Sequence, residues 1–150
     1  MKNGISDAVR RKTADVLADL LASTYSLYLK TQHAHWNIVG AEFFALHIML
    51  EKQYEEMADG VDEIAERIRS LGHAAEGSFH AFAKRSWLSD TAAKGHFVKN
   101  LLDQHERLAL QARPYILKFQ EWGDDISADL LIRRLNQHEK AAWMLRSSLR

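Results

Sequence analysis

Five side chains in the first half of the chain have the types and spacing to hold a metal ion: His35, His47, Glu51, Asp62 and Glu66. Carboxylate oxygens combined with imidazole nitrogen make a ligand set suited to iron, manganese or zinc. His47 with Glu51, and Asp62 with Glu66, are i, i+4 pairs, so on a helix each pair can converge on one ion. Projected at about 100° per residue, these four and Glu55 fall within about 100° of one another. A row of acids on a helix usually marks a solvated face. Here the same side carries apolar neighbours such as Phe44, Ile48 and Tyr54, which argues for a ligand set.

His35 belongs to the stretch TQHAHWNIVG. It lies on the same helical stripe as Leu17 and Tyr28, whereas His33 points to the far side, toward solvent. Taken alone, His35 reads first as a histidine at a helix end whose ring is satisfied by a backbone carbonyl. Distance then constrains the set. Glu51 and Asp62 are eleven residues apart, about 16 Å along a helix axis, so the two pairs cannot share one ion within a chain. An antiparallel copy of the helix across a twofold axis near Met57 would bring the halves together, giving two identical sites that His35 could complete. The ordinary di-iron bundle uses Glu-x-x-His pairs inside one subunit. No histidine of this chain has a glutamate three residues before it.

These residues need long helices to position them, and the composition supplies them. There is one proline, Pro114, and the few glycines cluster at apparent boundaries. Ser6 and Asp7 start a first helix that runs to about Trp36. A second runs from near Ala41 to Leu71, with Gly72 placed to end it. The connection holds a short helix in SFHAFAK. Asp90 caps a third long helix, kinked at Pro114 and ending at Gly123, and Asp124 and Asp125 open a fourth that ends near Leu149. The expectation is an all-α, ferritin-like four-helix bundle formed by residues 1–150 as one domain. No internal repeat stands out.

Charge balances, with 20 Lys+Arg against 20 Asp+Glu, so the chain as a whole offers no attraction for nucleic acid or an anionic membrane. Cysteine is absent, which excludes thiolate sites and disulfides. With no signal-type segment or membrane-length apolar run, the expected location is the cytoplasm.

The run HAHWNIVGAEFFALHIMLEKQYEEMADGVDEIAERIRSLG, residues 33–72, resembles the Dps family, the mini-ferritins or DNA-binding proteins from starved cells. The motif is specific: HW near the end of the first helix, a histidine twelve residues after the first, and D-x-x-x-E fifteen later. The resemblance spans nearly the whole chain, including EKAAWML near its end. It implies an intersubunit ferroxidase site of His35, His47 and Glu51 from one subunit with Asp62 and Glu66 from its twofold partner. The family more often has Asp where this chain has Glu51. The resemblance further implies a homo-oligomeric shell, a dodecamer, that binds ferrous iron, oxidises it with hydrogen peroxide in preference to O2, stores the ferric mineral and protects against oxidative stress. Zinc or manganese could occupy the same ligands. Trp36 matches the tryptophan beside the family's site, where it would act behind the ligands or simply pack. Asp124 and Asp129 resemble acids lining the family's threefold iron-uptake pores, and read equally as helix-start residues.

DNA condensation by a lysine-rich tail is disfavoured here. MKNGIS carries Lys2 as its sole cation, and phosphate neutralisation needs several charges together. Arg10, Arg11 and Lys12 could still form a surface patch, and a DNA-protecting shell without enzymatic turnover is the alternative function. His73, His80, His96, His105 and His138 have no second ligand at convincing spacing and read as structural or exposed.

Overall fold

The computed structural model describes residues 4–89 and 96–149, and they form six helices. They are α1 (Asp7–Asn37), α2 (Phe43–Ser70), α3 (Phe79–Arg85), α4 (Phe97–Ala112), α5 (Pro114–Glu121) and α6 (Asp125–Ser147). The short link after Asn37 folds α2 back along α1. A second pair is made by α4 and α6, and α1 against α4 with α2 against α6 closes a four-helix bundle. The expected Asp90 cap lies outside the described residues.

Apolar residues at helical spacing fill the interior. Leu17, Leu20 and Leu27 of α1 meet Leu50, Met57, Ile64 and Ile68 of α2, Leu108 of α4, and Leu131 and Leu145 of α6, all essentially inaccessible to water. Burying each such side chain contributes roughly 1.5–3 kcal/mol.

The ends of the helices follow local chemistry. The Ser6 hydroxyl accepts from the Val9 amide and caps α1. α2 ends at Gly72, which at φ +90° adopts a backbone that side chains resist, so its amide donates to Arg69 O and that of His73 to Ile68 O. Gly123 repeats the device after α5, with bonds from Gly123 N to Gln120 O and Asp124 N to Phe119 O. Pro114 interrupts the third long helix where a kink is expected. It has no amide hydrogen and its ring excludes the carbonyl of Leu110, so the hydrogen-bond ladder breaks between α4 and α5, while Arg113 between them keeps right-handed helical backbone at φ −50°, ψ −44°.

The connection between α2 and α4 is fastened to α1. Arg85 of α3 reaches Asp15 at 2.8 Å and Asp19 at 2.6 Å, and the Trp87 amide donates to the Ser23 hydroxyl at 2.9 Å. The Trp87 ring stacks on Tyr115. Among the described residues, no helix is long and apolar enough to cross a membrane.

Candidate metal site

His35 sits in the last turn of α1 and His47 in the second turn of α2, and the hairpin between these helices brings their rings into a stack with centroids 3.7 Å apart. The Nδ1–H of His35 donates to the carbonyl oxygen of His47 at 2.9 Å, and the Nδ1–H of His47 donates to that of His35 at 3.0 Å. A carbonyl only accepts, so the neutral form of either ring carries its proton on Nδ1 and keeps the lone pair on Nε2. This is the way proteins orient histidines that bind metals through Nε2. Both sequence readings of His35 therefore meet in one geometry: the carbonyl that satisfies Nδ1 also prepares Nε2.

The remaining candidates lie along the outer face of α2. Glu51 is half-buried one turn beyond His47, while Asp62 and Glu66 are exposed further along. Among the described residues, Glu51, Glu55, Asp62 and Glu66 make no ion pair or hydrogen bond. The acids on the flank turned to α6 behave differently: Glu63 pairs with Arg133 and Glu56 with the buried Arg134. α2 thus sorts its carboxylates into a paired row facing α6 and an unpaired row facing outward. Met57 marks the level midway between the two ligand pairs, but its side chain points into the chain's own core; Ala58 is the small, exposed residue at that level.

One chain brings together His35 and His47 only. Among the described residues no three histidine or carboxylate side chains converge on one point. Tyr54 stands edge-on to the His35 ring at 5.3 Å, a contact not signalled by spacing. Its phenol is pushed up from the ordinary value first by desolvation and then by the charges of Glu51 and Glu55. Trp36 is 62% exposed at the end of α1, beside the site. His33 is half-buried with its edge against Phe97, rather than free in solvent.

Asp124 and Asp129 part company. Asp124 is buried: one oxygen accepts from the Ser127 amide at 3.1 Å and from Arg67 at 2.6 Å, and the other from the Ser127 hydroxyl at 2.8 Å. It caps α6 and ties it to α2. Asp129 is exposed and pairs only with Arg133 one turn on.

Sequence reasoning missed a second histidine pair. His105 of α4 and His138 of α6 are both 1% exposed, with their Nδ1 atoms 3.0 Å apart. Burial lowers the His105 pKa to about 3, and His138 is likewise held well below its ordinary value, with the Arg134 cation adding to both.

The ferritin family, described as a ferritin-like domain, matches residues 14–150. The DNA protection during starvation protein of Porphyromonas gingivalis is 36% identical over 86% of this chain and 83% of its own length. Two solved structures are similar throughout. Mycobacterium smegmatis Dps superposes with a TM-score of 0.93 at 31% identity, covering 99% of this chain and 92% of that one. The Dps protein of Vibrio cholerae, described as a member of a broad superfamily of ferritin-like diiron-carboxylate proteins, gives 0.88 at 31%, covering 98% and 94%. Fold and sequence together define a ferritin-like protein. Within that class, the chain belongs to the Dps family.

Proposed function

We propose that the protein is a ferroxidase that detoxifies and stores iron, working at sites shared between two subunits. His35, His47 and Glu51 of one subunit and Asp62 and Glu66 of its twofold partner receive ferrous iron as substrate. Two ferrous ions each give one electron to hydrogen peroxide, the O–O bond breaks, and the ferric product hydrolyses with release of protons and is stored inside a dodecameric shell. O2 is the slower oxidant. The reaction consumes both reactants of hydroxyl-radical formation, which is the protective role in the cytoplasm.

The observation that carries this reading is the pair of reciprocal bonds at His35 and His47, which leaves both Nε2 lone pairs free for a metal on the helix that carries a row of unpaired carboxylates. The imidazoles bind the borderline ferrous ion, and the carboxylates stabilise the higher charge of the ferric state. The same set takes zinc or manganese, which would compete rather than turn over. Trp36 and Tyr54 stand close enough to intercept stray oxidising equivalents. DNA protection by the shell gains little support from the first helix. Arg10 is engaged by Asp7 and the carbonyl of Ile5, and Lys12 lies over the Trp122 ring, leaving Arg11 without a cluster.

Subunit mixing tests the proposal. A His35→Ala/His47→Ala chain and an Asp62→Asn/Glu66→Gln chain should each be inactive. When they are dissociated together and reassembled, each mixed dimer regains one intact site, so about a quarter of the wild-type sites return on random pairing. Peroxide-driven oxidation of anaerobically loaded iron is the readout. Inactive parents that stay inactive after reassembly would place all the ligands in one chain, and active parents would place the site elsewhere.

A further inference from the structure

Three of the four tyrosines, Tyr25, Tyr28 and Tyr54, stand in file. Tyr25 and Tyr28 are i, i+3 neighbours on α1, and Tyr54 comes from α2 to meet them. The file begins at the candidate site, where the Tyr54 ring stands edge-on to the His35 ring at 5.3 Å. Tyr54 meets Tyr28 at 6.0 Å, again edge-on, and Tyr28 meets Tyr25 at 5.6 Å. Beyond Tyr25 lie two rings of α3, Phe82 at 5.1 Å and Phe79 at 6.1 Å. Phe79 is 72% exposed, so the file leads from the site along the contact of α1 with α2 to the surface beside α3. The fourth tyrosine, Tyr115, stacks on Trp87 and takes no part.

Packing alone does not account for the residue type. All three tyrosines are half-buried, and among the described residues none of their hydroxyls makes a hydrogen bond or is sealed from water. Phenylalanine would fill the same space. What the phenol adds is redox chemistry: it gives up an electron when its proton can leave with it, and a hydroxyl open to water can release that proton. With no cysteine in the chain, tyrosine and tryptophan are the side chains suited to giving up single electrons. Electron tunnelling falls off exponentially with distance. Short steps between rings in contact are therefore faster than one jump from His35 to Tyr25, which lie ten residues apart, about 15 Å along the helix axis.

We infer that Tyr54, Tyr28 and Tyr25 form a relay that supplies an electron to the site when it holds one ferrous ion instead of two. The inference rests on the reading of His35, His47 and the α2 carboxylates as an iron-oxidising site. Hydrogen peroxide takes two electrons, and a single ferrous ion gives one. The second comes from the Tyr54 phenol. The O–O bond breaks, the phenolic proton and one proton from solvent complete two waters, and one ferric ion and one neutral tyrosyl radical remain. The balance is Fe2+ + TyrOH + H2O2 + H+ giving Fe3+ + TyrO• + 2 H2O. Tyr28 then reduces Tyr54, and Tyr25 reduces Tyr28; each donor loses its proton to water as the acceptor regains one. Phenylalanine is much harder to oxidise than tyrosine, so the radical travels no further than Tyr25. There a later ferrous ion, or a soluble reductant of the ascorbate kind, returns one electron, and solvent returns the proton. The relay thus draws the oxidising equivalent away from the imidazoles of His35 and His47 and from the thioether of Met49, two residues beyond His47.

The test loads assembled protein anaerobically with one ferrous ion per site, adds hydrogen peroxide and freezes the mixture at once. Electron paramagnetic resonance should show a tyrosyl radical whose slow relaxation places it away from the ferric ion. Tyr28→Phe should hold the radical at Tyr54, where the nearby ferric ion broadens it, and Tyr54→Phe should abolish the tyrosyl signal. Each substitution keeps the ring and strands no hydrogen bond, so a merely structural role would leave the signal as it is. Peptide mass spectrometry gives a second readout. After repeated peroxide additions in the presence of ascorbate, both variants should accumulate oxidised His35, His47 or Met49, which the wild type resists. A tyrosyl signal that neither substitution alters, a radical on tryptophan alone, or iron oxidised with no protein radical would overturn the relay and leave the proposed function standing. Wild-type protein that oxidises no iron would overturn the site and the relay together.

Discussion

His35 and His47 each donate a ring N–H to the other's backbone carbonyl, so neither ring can turn without releasing its neighbour's main chain. Replacing either ring therefore removes a prospective ligand and leaves a carbonyl without its donor. His47→Ala should cost about 0.5–1.5 kcal/mol of stability in urea unfolding, the net value of one such bond. Anaerobic titration with ferrous iron should show a much larger effect, a loss of about 10–100-fold in affinity. An unchanged affinity would mean that the stacked pair is architectural.

Acid should loosen the bundle through His105 and His138. Their folded-state pKa values lie below the unfolded value of about 6.5, that of His105 at about 3, so the unfolded chain binds more protons between those limits. Stability is then fully present above about pH 6.5 and falls as pH drops toward 3, by up to about 1.4 kcal/mol per pH unit for each histidine. The groups facing the pair are Arg134 with Glu56, and the flanking ion pairs Glu106–Arg146 and Glu139–Arg113. A His105→Gln/His138→Gln protein that folds should show a flatter dependence of urea midpoint on pH over this window. Equal slopes in the two proteins would assign the acid response to other groups.

Gly60 is a place where helix propensity and packing disagree. In a helix interior, Gly→Ala is worth about 1 kcal/mol in favour of alanine. A Cβ at position 60, however, would stand 2.4 Å from Cζ of Arg134. That side chain is long, but its head is 5% exposed and held by Glu56, so moving it disturbs a buried ion pair. Overpacking typically costs about 1–3 kcal/mol, and Gly60→Ala should be net destabilising. A gain in melting temperature would show that the guanidinium relocates freely.

Asp124 and Asp129 should separate into a structural and a functional role. Asp124→Asn keeps a good capping residue but strands the largely buried Arg67, for a loss of about 1–3 kcal/mol. Asp129→Asn breaks only an exposed pair and should leave stability within about 0.5 kcal/mol. If Asp129 lines a path for incoming iron, its variant slows mineral formation at limiting iron while single-turnover oxidation is unchanged.

The helices, and the candidate face of α2 that gathers His47 with the carboxylates, are legible in the sequence because both rest on one period. Spacing of 3.6 residues places Leu50, Met57 and Ile64 inward and His47, Glu51 and Asp62 together on another side. What spacing cannot convey is the partner of each side chain across the bundle. Nothing near His105 in sequence announces His138, and only the Gln-His-Glu of residues 104–106, repeated at 137–139, hints at their meeting. The same limit hides Arg67 as the partner of Asp124 and Arg134 as the guanidinium over Gly60. Pro114 signals a break, but whether the chain bends or stops there depends on the packing of α5 against α6.

The division of the acids on α2 has a consequence for gene dosage. If Asp62 and Glu66 serve a neighbour's histidines, a lone chain owns no complete site, and the number of working sites at low expression rises with the square of chain concentration. Oxidation capacity would then lag behind synthesis in sparse cells and become proportional to it once the chain concentration passes the dissociation constant of the dimer.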